Sequence, residues 1–422
     1  MRRRTPFFYG YVILATVWLL YFSVIGMILY GASVVNAQMQ LVLGFDEQYV
    51  GLASTACTII SGVMGPAVGW IISKRGVRLP YLIGSAMVAV ASFLLALLPQ
   101  TQVSFLLLYG VVIGSGIGFA GIMTAQSAVN DWFDKKKSMA MAVALTAGAA
   151  GGFLAPQVVS RLLSAGDWTW GWLFIGGMSV LSFALSALLL VNRPADIGEV
   201  PDGLHGAPPP EKAPERPDGF TFRSVLKGPE FYMVLFSYAA RTALYYAFMA
   251  YVIIFLRGEG MSAAFGAGLL SLISVSSLVG RLLAGAVPER LVPANRSLGL
   301  GNVVMGAGTL LVTAAHSQGA ILLGGVGFGL GIGVATVALP IVVSRLYGAG
   351  HFSVVNGNLS LLNYLFGAGG PAVVGGVAGL LGGYRLPFAA AAVLVVVSGG
   401  VVCLLHMKRA EAAEMEKTHC RV

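Results

Sequence analysis

Long apolar runs alternate with short polar segments along the whole chain. Each of twelve runs is close to or above the ~20 residues that an α-helix needs to cross a bilayer. They cover residues 9–35, 48–72, 79–98, 103–129, 138–163, 170–191, 229–256, 263–287, 297–315, 319–343, 353–380 and 386–407. The pattern predicts an all-α integral membrane protein with twelve transmembrane helices.

The composition supports this prediction and narrows the function classes. Of the 422 residues, 57% are hydrophobic and 10% are charged, and the mean hydropathy is +0.83. Such values are typical of polytopic membrane proteins. Cys57, Cys403 and Cys420 lack metal-ligand spacing, and no nucleotide-binding loop or nucleophile triad is present. We therefore expect a protein that is not an enzyme and needs no cofactor.

Basic residues are concentrated on alternate loops, which predicts the orientation. One set of loops carries Arg2–Arg4, Lys74–Arg78 and Lys135–Lys137, whereas the other set carries isolated arginines such as Arg161 and Arg257. By the positive-inside rule, both termini are cytoplasmic and the chain is a multi-pass protein of the inner (plasma) membrane. The net charge of +9 then indicates contact with anionic lipids, not nucleic acid. The run Lys135–Lys137 is interpreted as a solvated, lipid-facing anchor.

A proline-rich, charged stretch separates the sixth and seventh apolar runs. It predicts a cytoplasmic linker at residues 193–228 between an N-terminal bundle at 1–192 and a C-terminal bundle at 229–407. Residues 408–422 are predicted to form a cytoplasmic tail.

The two halves repeat with an offset of 215 residues. This offset carries Gly110, Gly114 and Gly118 onto Gly325, Gly329 and Gly333, and carries Ser138, Gly152 and Pro156 onto Ser353, Gly367 and Pro371. The glycines on their own indicate no more than close helix packing. Their shared register predicts two pseudo-symmetric six-helix bundles, an arrangement typical of transporters with a site between the halves.

The segment Gly69-Trp70-Ile71-Ile72-Ser73-Lys74-Arg75-Gly76-Val77-Arg78 resembles the loop motif between helices 2 and 3 of the major facilitator superfamily. The resemblance implies the major facilitator fold and a gating motif. In this chain Ser73 replaces the acidic residue of the motif, while Glu289 stands at the matching position of the second half, four residues after Gly285. The candidate gating residues are Gly69, Lys74, Arg75, Arg78, Gly285 and Glu289.

Within that superfamily, two further motifs are similar to the monocarboxylate transporters and their bacterial relatives. These are Phe8-Tyr9-Gly10-Tyr11 at the start of the first span, and Gly280-Arg281 with Gly285 in the eighth. The oxalate/formate antiporters are similar over the same stretches. In both groups the eighth-span arginine is implied to bind the substrate carboxylate, which assigns that role to Arg281.

This chain departs from both groups at three charged positions. Ser277 stands where animal monocarboxylate transporters have an aspartate, and Leu29 or Tyr30 stands where they have a lysine. Asn363 and Tyr364 stand near the eleventh-span lysine of the oxalate antiporters. Ile332, like Leu29 and Tyr30, is selected as apolar cavity wall.

Two arginines lie inside apolar spans, where an unpaired cation costs at least about 2.5 to 3.5 kcal/mol. Helical side chains lean toward the helix N-terminus, so Arg281 points toward the bilayer centre, whereas Arg241 leans toward the cytoplasm and is expected to reach water there. The candidate substrate-binding residues are Arg281, Ser277, Asn363, Tyr364, Leu29, Tyr30, Ile332, Tyr245 and Arg241. For the uncharged ones, plain helix packing is the alternative interpretation.

All 17 acidic residues fall in loops, tails or span ends. A proton therefore has no fixed carboxylate carrier in mid-membrane, and coupling must use the carboxyl group of the substrate. We expect a secondary active transporter of a small monocarboxylate of the lactate or pyruvate type, coupled to protons, working by alternating access as a monomer. The alternatives are an exchanger of oxalate-like or dicarboxylate anions, in which Arg241 adds a second cation, and a non-transporting ligand sensor.

Overall fold

The computed structural model describes residues 7–203, 225–289, 291–367 and 369–405. Arg2–Arg4, most of the predicted linker and the predicted tail at 408–422 lie outside these residues. Within the described residues, all regular secondary structure is helical.

Six helices form in the first half of the chain. They are α1 (Gly10–Leu43), α2 (Glu47–Val63 and Gly65–Arg75), α3 (Arg78–Leu97), α4 (Gln102–Trp132), α5 (Lys137–Ala165) and α6 (Trp168–Leu189). The two parts of α2 meet at a bend of 41°. Two helices contain π-helical segments, at Phe22–Gly31 in α1 and Leu106–Ile113 in α4.

Six more helices form in the second half. They are α7 (Pro229–Gly258), α8 (Ala263–Ala286), α9 (Ala294–Ala314), α10 (Gln318–Tyr347), α11 (Phe352–Gly367 and Gly370–Leu381) and α12 (Arg385–Cys403). Eleven described helices are long and apolar enough to cross a membrane, and the bent α2 makes twelve. The predicted all-α, twelve-helix membrane fold is confirmed.

The chain divides into two compact units. The N-terminal unit contains residues Met1–Glu215 and Asn356–Leu361, and the C-terminal unit contains Arg216–Val355 and Leu362–Val422. The short stretch of α11 in the N-terminal unit carries Asn356, whose Nδ2 donates a 3.1 Å hydrogen bond to Oε1 of Gln126.

The glycines that repeat in sequence make matching contacts within each unit. In the N-terminal unit, a Cβ atom at Gly114 would lie 2.8 Å from the Cys57 carbonyl oxygen, so α4 packs directly on α2. In the C-terminal unit, a Cβ atom at Gly329 would lie 2.6 Å from Cβ of Ser276, so α10 packs in the same way on α8. Side chains larger than hydrogen would force these helices apart.

The segment that follows α6 folds back onto the N-terminal unit. We call residues 190–203 the strap. The Asp202 carboxylate accepts backbone hydrogen bonds of 3.1, 2.6 and 3.4 Å from Asp134, Lys135 and Lys136, just before α5. The Glu199 carboxylate accepts one of 3.1 Å from the Tyr9 nitrogen at the start of α1. Both carboxylates thus bind N–H groups that a helix start leaves without partners.

The run Lys135–Lys137 does not form a uniformly solvated anchor as predicted. Lys135 and Lys136 are exposed, and the hydrogen bond from Lys136 Nζ to the Tyr11 hydroxyl, 3.0 Å long, raises the pKa of Lys136. Lys137 is only 3% exposed, and its Nζ donates a 3.0 Å hydrogen bond to Oδ1 of Asn130. The prediction was wrong for Lys137 because α5 begins at this residue and directs its side chain back against the end of α4.

Candidate functional site

Arg281 lies where α8 and α10 approach most closely. A Cβ atom at Gly333 would collide with the Ser277 carbonyl oxygen and lie 3.0 Å from the Arg281 nitrogen, and Gly280 packs as tightly on Leu330. Backbone contact therefore fixes the helical turn that carries Arg281. The Arg281 side chain is only partly buried, and Ser277, one turn earlier, is buried.

Arg241 has a different environment on α7. Its Cζ atom lies 5.2 Å from the ring centroid of Tyr238, one turn toward the N-terminus, so the side chain leans in the predicted direction. It does not reach water as predicted, because the residue is 3% exposed and its Nη1 is buried with no hydrogen-bond partner among the described residues. The reason is that Arg241 lies on the same face of α7 as Phe248, two turns later, and this face packs on Phe328 of α10 and Phe388 of α12.

Aromatic rings continue from Arg241 along α7. The ring of Tyr245 stacks on Phe328 of α10 at 6.3 Å and meets the Tyr246 ring edge-on at 5.5 Å. The Tyr246 side chain interacts with that of Tyr364 on α11. The structure thus brings Tyr245 and Tyr364 into one aromatic group, and Tyr246 completes it.

Asn363 and Tyr364 lie one turn before Gly367, the last residue of the first described part of α11. A Cβ atom at Gly367 would lie 2.9 Å from Cβ of Thr242, and Gly370 packs directly on the Ala243 backbone. Asn363 is 2% exposed, and its Oδ1 accepts no hydrogen bond from any described residue. Tyr364 is half-buried.

The apolar candidates lie in both units. Ile332 on α10 is partly buried against the core of the C-terminal unit, as is Tyr245. Leu29 and Tyr30 belong to the π-helical segment of α1 in the N-terminal unit, where they are 45% and 36% exposed. A Cβ atom at Gly152 of α5 would lie 3.3 Å from the Tyr30 ring.

The candidate gating motif of the N-terminal unit is held by hydrogen bonds to uncharged groups. Asn192 of the strap accepts a 3.0 Å hydrogen bond from the Arg78 nitrogen and donates one of 3.2 Å to the Arg75 carbonyl. The Arg78 guanidinium donates to the Ala187 carbonyl, and Nζ of Lys74 lies 5.8 Å from the Trp70 ring. Gly69 is buried in the last turns of α2.

The matching loop of the C-terminal unit has an ion pair instead. Nε of Arg345 lies 3.1 Å from Oε2 of Glu289, and both side chains are partly exposed. Gly285 is buried one turn earlier. Sequence reasoning identified Glu289 and missed Arg345 and Asn192. Arg345 could have been found from the sequence, because it lies in the next loop on the same side and its charge is opposite to that of Glu289. Asn192 could not, because it belongs to no motif.

Comparison with known proteins identifies the family. The Major Facilitator Superfamily matches residues 7–371 of this sequence. The chain belongs to that superfamily. Its fold is similar to that of the Escherichia coli fucose:proton symporter FucP, with a TM-score of 0.71 over 93% of this chain and 97% of FucP at 15% identity. As a member of the superfamily, the protein is a multi-pass membrane protein with the fold of that family's transporters.

Relatives in sequence fall into two groups. Monocarboxylate transporter 13 of Rattus norvegicus is 24% identical over 87% of this chain and 82% of its own length. The MFS transporter asaE of Aspergillus flavus is 29% identical over 54% of this chain and 48% of its own length. The fujikurins efflux protein of Gibberella fujikuroi is 28% identical over 68% of this chain and 59% of its own length. The chain therefore spans about half to three-fifths of these fungal relatives.

Proposed function

We propose that this protein transports a small monocarboxylate of the lactate or pyruvate type across the plasma membrane, with Arg281 binding the carboxylate. The observation that carries the proposal is a partly exposed arginine on a turn that the α8–α10 contact fixes in place. A guanidinium donates paired, charge-assisted hydrogen bonds to a carboxylate. The similarity to monocarboxylate transporter 13 over 87% of the chain supports the same substrate class.

We propose that transport is coupled to protons, and the charge distribution limits the route that a proton can take. No acidic residue lies in the middle of an apolar span, so the protein offers no fixed carboxylate to carry a proton. A carboxylate that takes up a proton as it leaves Arg281 crosses as the neutral acid. Uptake should therefore rise when the proton concentration is higher on the side of entry. We propose that the monomer works by alternating access, with both termini in the cytoplasm.

Uptake of labelled lactate into proteoliposomes tests this function. We expect uptake to increase under an inward proton gradient and to fall at least about thirtyfold in Arg281→Gln, which corresponds to about 2 kcal/mol of lost binding. Arg257→Gln is the matched control, because Arg257 is exposed at the end of α7. Unchanged uptake in Arg281→Gln would contradict the proposal. Because the Gibberella relative is named as an efflux protein, release of labelled lactate from preloaded vesicles is the parallel measurement.

The buried guanidinium of Arg241 favours a second candidate, exchange of oxalate-like or dicarboxylate anions. A dianion needs two positive charges, and Arg241 is the second cation inside the spans of the C-terminal unit. Counterflow of oxalate that disappears in Arg241→Ala would select this candidate. Lactate uptake that survives the same substitution would select the first.

A further inference from the structure

Two buried polar atoms of the N-terminal unit have no hydrogen-bond partner among the described residues. They are Oδ1 of Asn36 on α1 and Nε1 of Trp172 on α6, and the two residues are 4% and 0% exposed. Most buried polar atoms in folded proteins are hydrogen-bonded, so each exception requires an explanation. The two atoms are complementary, because an amide oxygen only accepts hydrogen bonds and an indole nitrogen only donates them.

Tyr109 of α4 contacts both of these side chains. Its ring meets the Trp172 ring edge-on, with the centroids 5.8 Å apart, and its side chain interacts with that of Asn36. Next to this contact α6 packs directly on α1, because a Cβ atom at Gly171 would lie 2.5 Å from a methyl carbon of Val35. Trp172 follows Gly171 in the chain, and Asn36 follows Val35. The two atoms without partners therefore belong to one cluster around Tyr109, where three helices meet.

Helix backbones hold the cluster at one end of the unit. Asn36 lies about two turns before the end of α1, and Tyr109 and Trp172 lie about two turns or less after the starts of α4 and α6. Because successive spans run in opposite directions, these helix ends lie on the same side of the unit. Tyr109 also belongs to the π-helical segment Leu106–Ile113, and such segments inside α-helices are frequent at functional sites.

The cluster is uncharged and closed to bulk solvent. The groups that act on Tyr109 are the Cys57 thiol, the Asn36 amide and the Ser54 hydroxyl, and none of them carries a formal charge. Asn36, Tyr109 and Trp172 are at most 5% exposed. A cation would be repelled by the indole N–H group, and a carboxylate would face the amide oxygen without a counter-charge among these groups. The two atoms therefore match a neutral ligand that both donates and accepts hydrogen bonds and is as small as a water molecule.

We infer that Asn36 and Trp172 bind one buried water molecule beside Tyr109. The Trp172 indole N–H donates to the water oxygen, and the water donates one O–H to Oδ1 of Asn36. The Tyr109 hydroxyl supplies a third partner, which matches the roughly three hydrogen bonds that a buried water makes. The water thus connects α1, α4 and α6 inside the N-terminal unit. Arg281 belongs to the other unit, so the inference does not depend on the proposed substrate.

Hydroxyl-radical footprinting of the full-length protein in detergent tests the site. X-ray pulses produce the radicals from water, including bound water, so a fully buried side chain is oxidised only where a water lies beside it. Trp132 is the matched internal control, because it is equally buried and its Nε1 donates a 3.2 Å hydrogen bond to the Val191 carbonyl. Mass spectrometry should find Trp172 oxidised at least about fivefold faster than Trp132. Equally slow oxidation of the two side chains would refute the site.

A variant tests whether the amide of Asn36 holds the water. Asn36→Leu removes the amide oxygen and should reduce the oxidation of Trp172 to the rate of Trp132. Asn302→Leu is the matched control, because it replaces a buried asparagine of the other unit and should leave the oxidation of Trp172 unchanged. Oxidation of Trp172 that persists in Asn36→Leu would also refute the site. If Asn36→Leu does not fold, the comparison of Trp172 with Trp132 in the wild type decides.

Melting temperatures provide an independent readout of the shared water. Asn36→Leu and Trp172→Phe should each lower the melting temperature by about 2 °C or more, because each leaves the water with one partner fewer. The double variant should lose less than the sum of the two, because it removes both groups that the water joins. Trp168→Phe, one turn earlier on α6, is the control, and its effect should add to that of Asn36→Leu. Additive effects of Asn36→Leu and Trp172→Phe would contradict a shared water.

Discussion

Among the described residues, each unit buries one basic side chain to the same degree, and the surroundings of the two charges differ. Lys137 in the N-terminal unit and Arg241 in the C-terminal unit are both 3% exposed. Lys137 donates a hydrogen bond to Asn130, which in turn lies 3.4 Å from the Asp131 carboxylate. Arg241 faces a tyrosine ring and retains a buried nitrogen without a partner in the described chain.

The difference separates a buried cation that is hydrogen-bonded to its own chain from one that lies over an aromatic ring. A buried charge that is hydrogen-bonded near an opposite charge contributes to one defined fold, and removing it leaves its partners unsatisfied. A buried charge without such partners reduces the stability of the empty protein, so a ligand that supplies them is bound more strongly. Burial alone would have assigned the two residues the same role.

The largest expected effect is the loss of stability when Lys137, the hydrogen-bonded buried cation, is replaced. Lys137→Met should lower the free energy of unfolding by about 3 kcal/mol, because it leaves the buried Asn130 oxygen without its charged donor. Thermal melting of the purified protein measures the loss, which Arg241→Met should not show. Lys135→Met is the control, because Lys135 is exposed and its loss should change stability by less than about 0.5 kcal/mol. Equal melting temperatures for Lys137→Met and the wild type would contradict the comparison.

A smaller effect should separate two buried amides of the C-terminal unit. Asn302→Leu should lower the free energy of unfolding by about 2 kcal/mol, because the hydroxyls of Ser237 and Ser398 lose their donor. Asn363→Leu should cost less, because its Oδ1 has no hydrogen bond to lose within the described residues. The two melting curves, measured without ligand, give the comparison. A greater loss in Asn363→Leu would show that its amide supports the fold.

The smallest effect is expected at the edge of the C-terminal unit. Glu289 and Arg345 form an ion pair whose side chains are 26% and 33% exposed, so solvent screens their attraction. Glu289→Gln should cost about 0.5 kcal/mol at low salt and nothing measurable at about 1 M salt. Melting at both salt concentrations checks this, with Glu259→Gln as the control at the other exposed ion pair, formed with Arg385. If the loss persists at high salt, solvent does not screen the pair, and this result would contradict the expectation drawn from its partial exposure.

The sequence was sufficient for the spans and the repeat, because both depend on local patterns. An apolar run of membrane length has few folds available to it, and the glycines recur at the positions where α4 meets α2 and α10 meets α8. The burial of Arg241 could not be predicted in this way. It depends on the packing of the Arg241 face of α7 against Phe328 of α10 and Phe388 of α12, which lie more than eighty residues further along the chain.

The same limit explains the error at Lys137 and the absence of the strap from the prediction. A run of three lysines has no sequence feature that distinguishes the one at a helix start from its exposed neighbours. Asp202 binds N–H groups 66 to 68 residues away in the chain, and no periodicity marks that pairing. Side-chain direction was predicted correctly for Arg241, because it follows from helix geometry alone.

The strap also determines where this polypeptide can be divided for expression as two separate fragments. A fragment that stops at residue 192 loses Glu199 and Asp202, and the starts of α1 and α5 then lose the carboxylates that bind them. A fragment that continues through Gly203 retains both. Split reporters, protease sites and fused tags therefore belong after Gly203, where they leave these two helix starts intact.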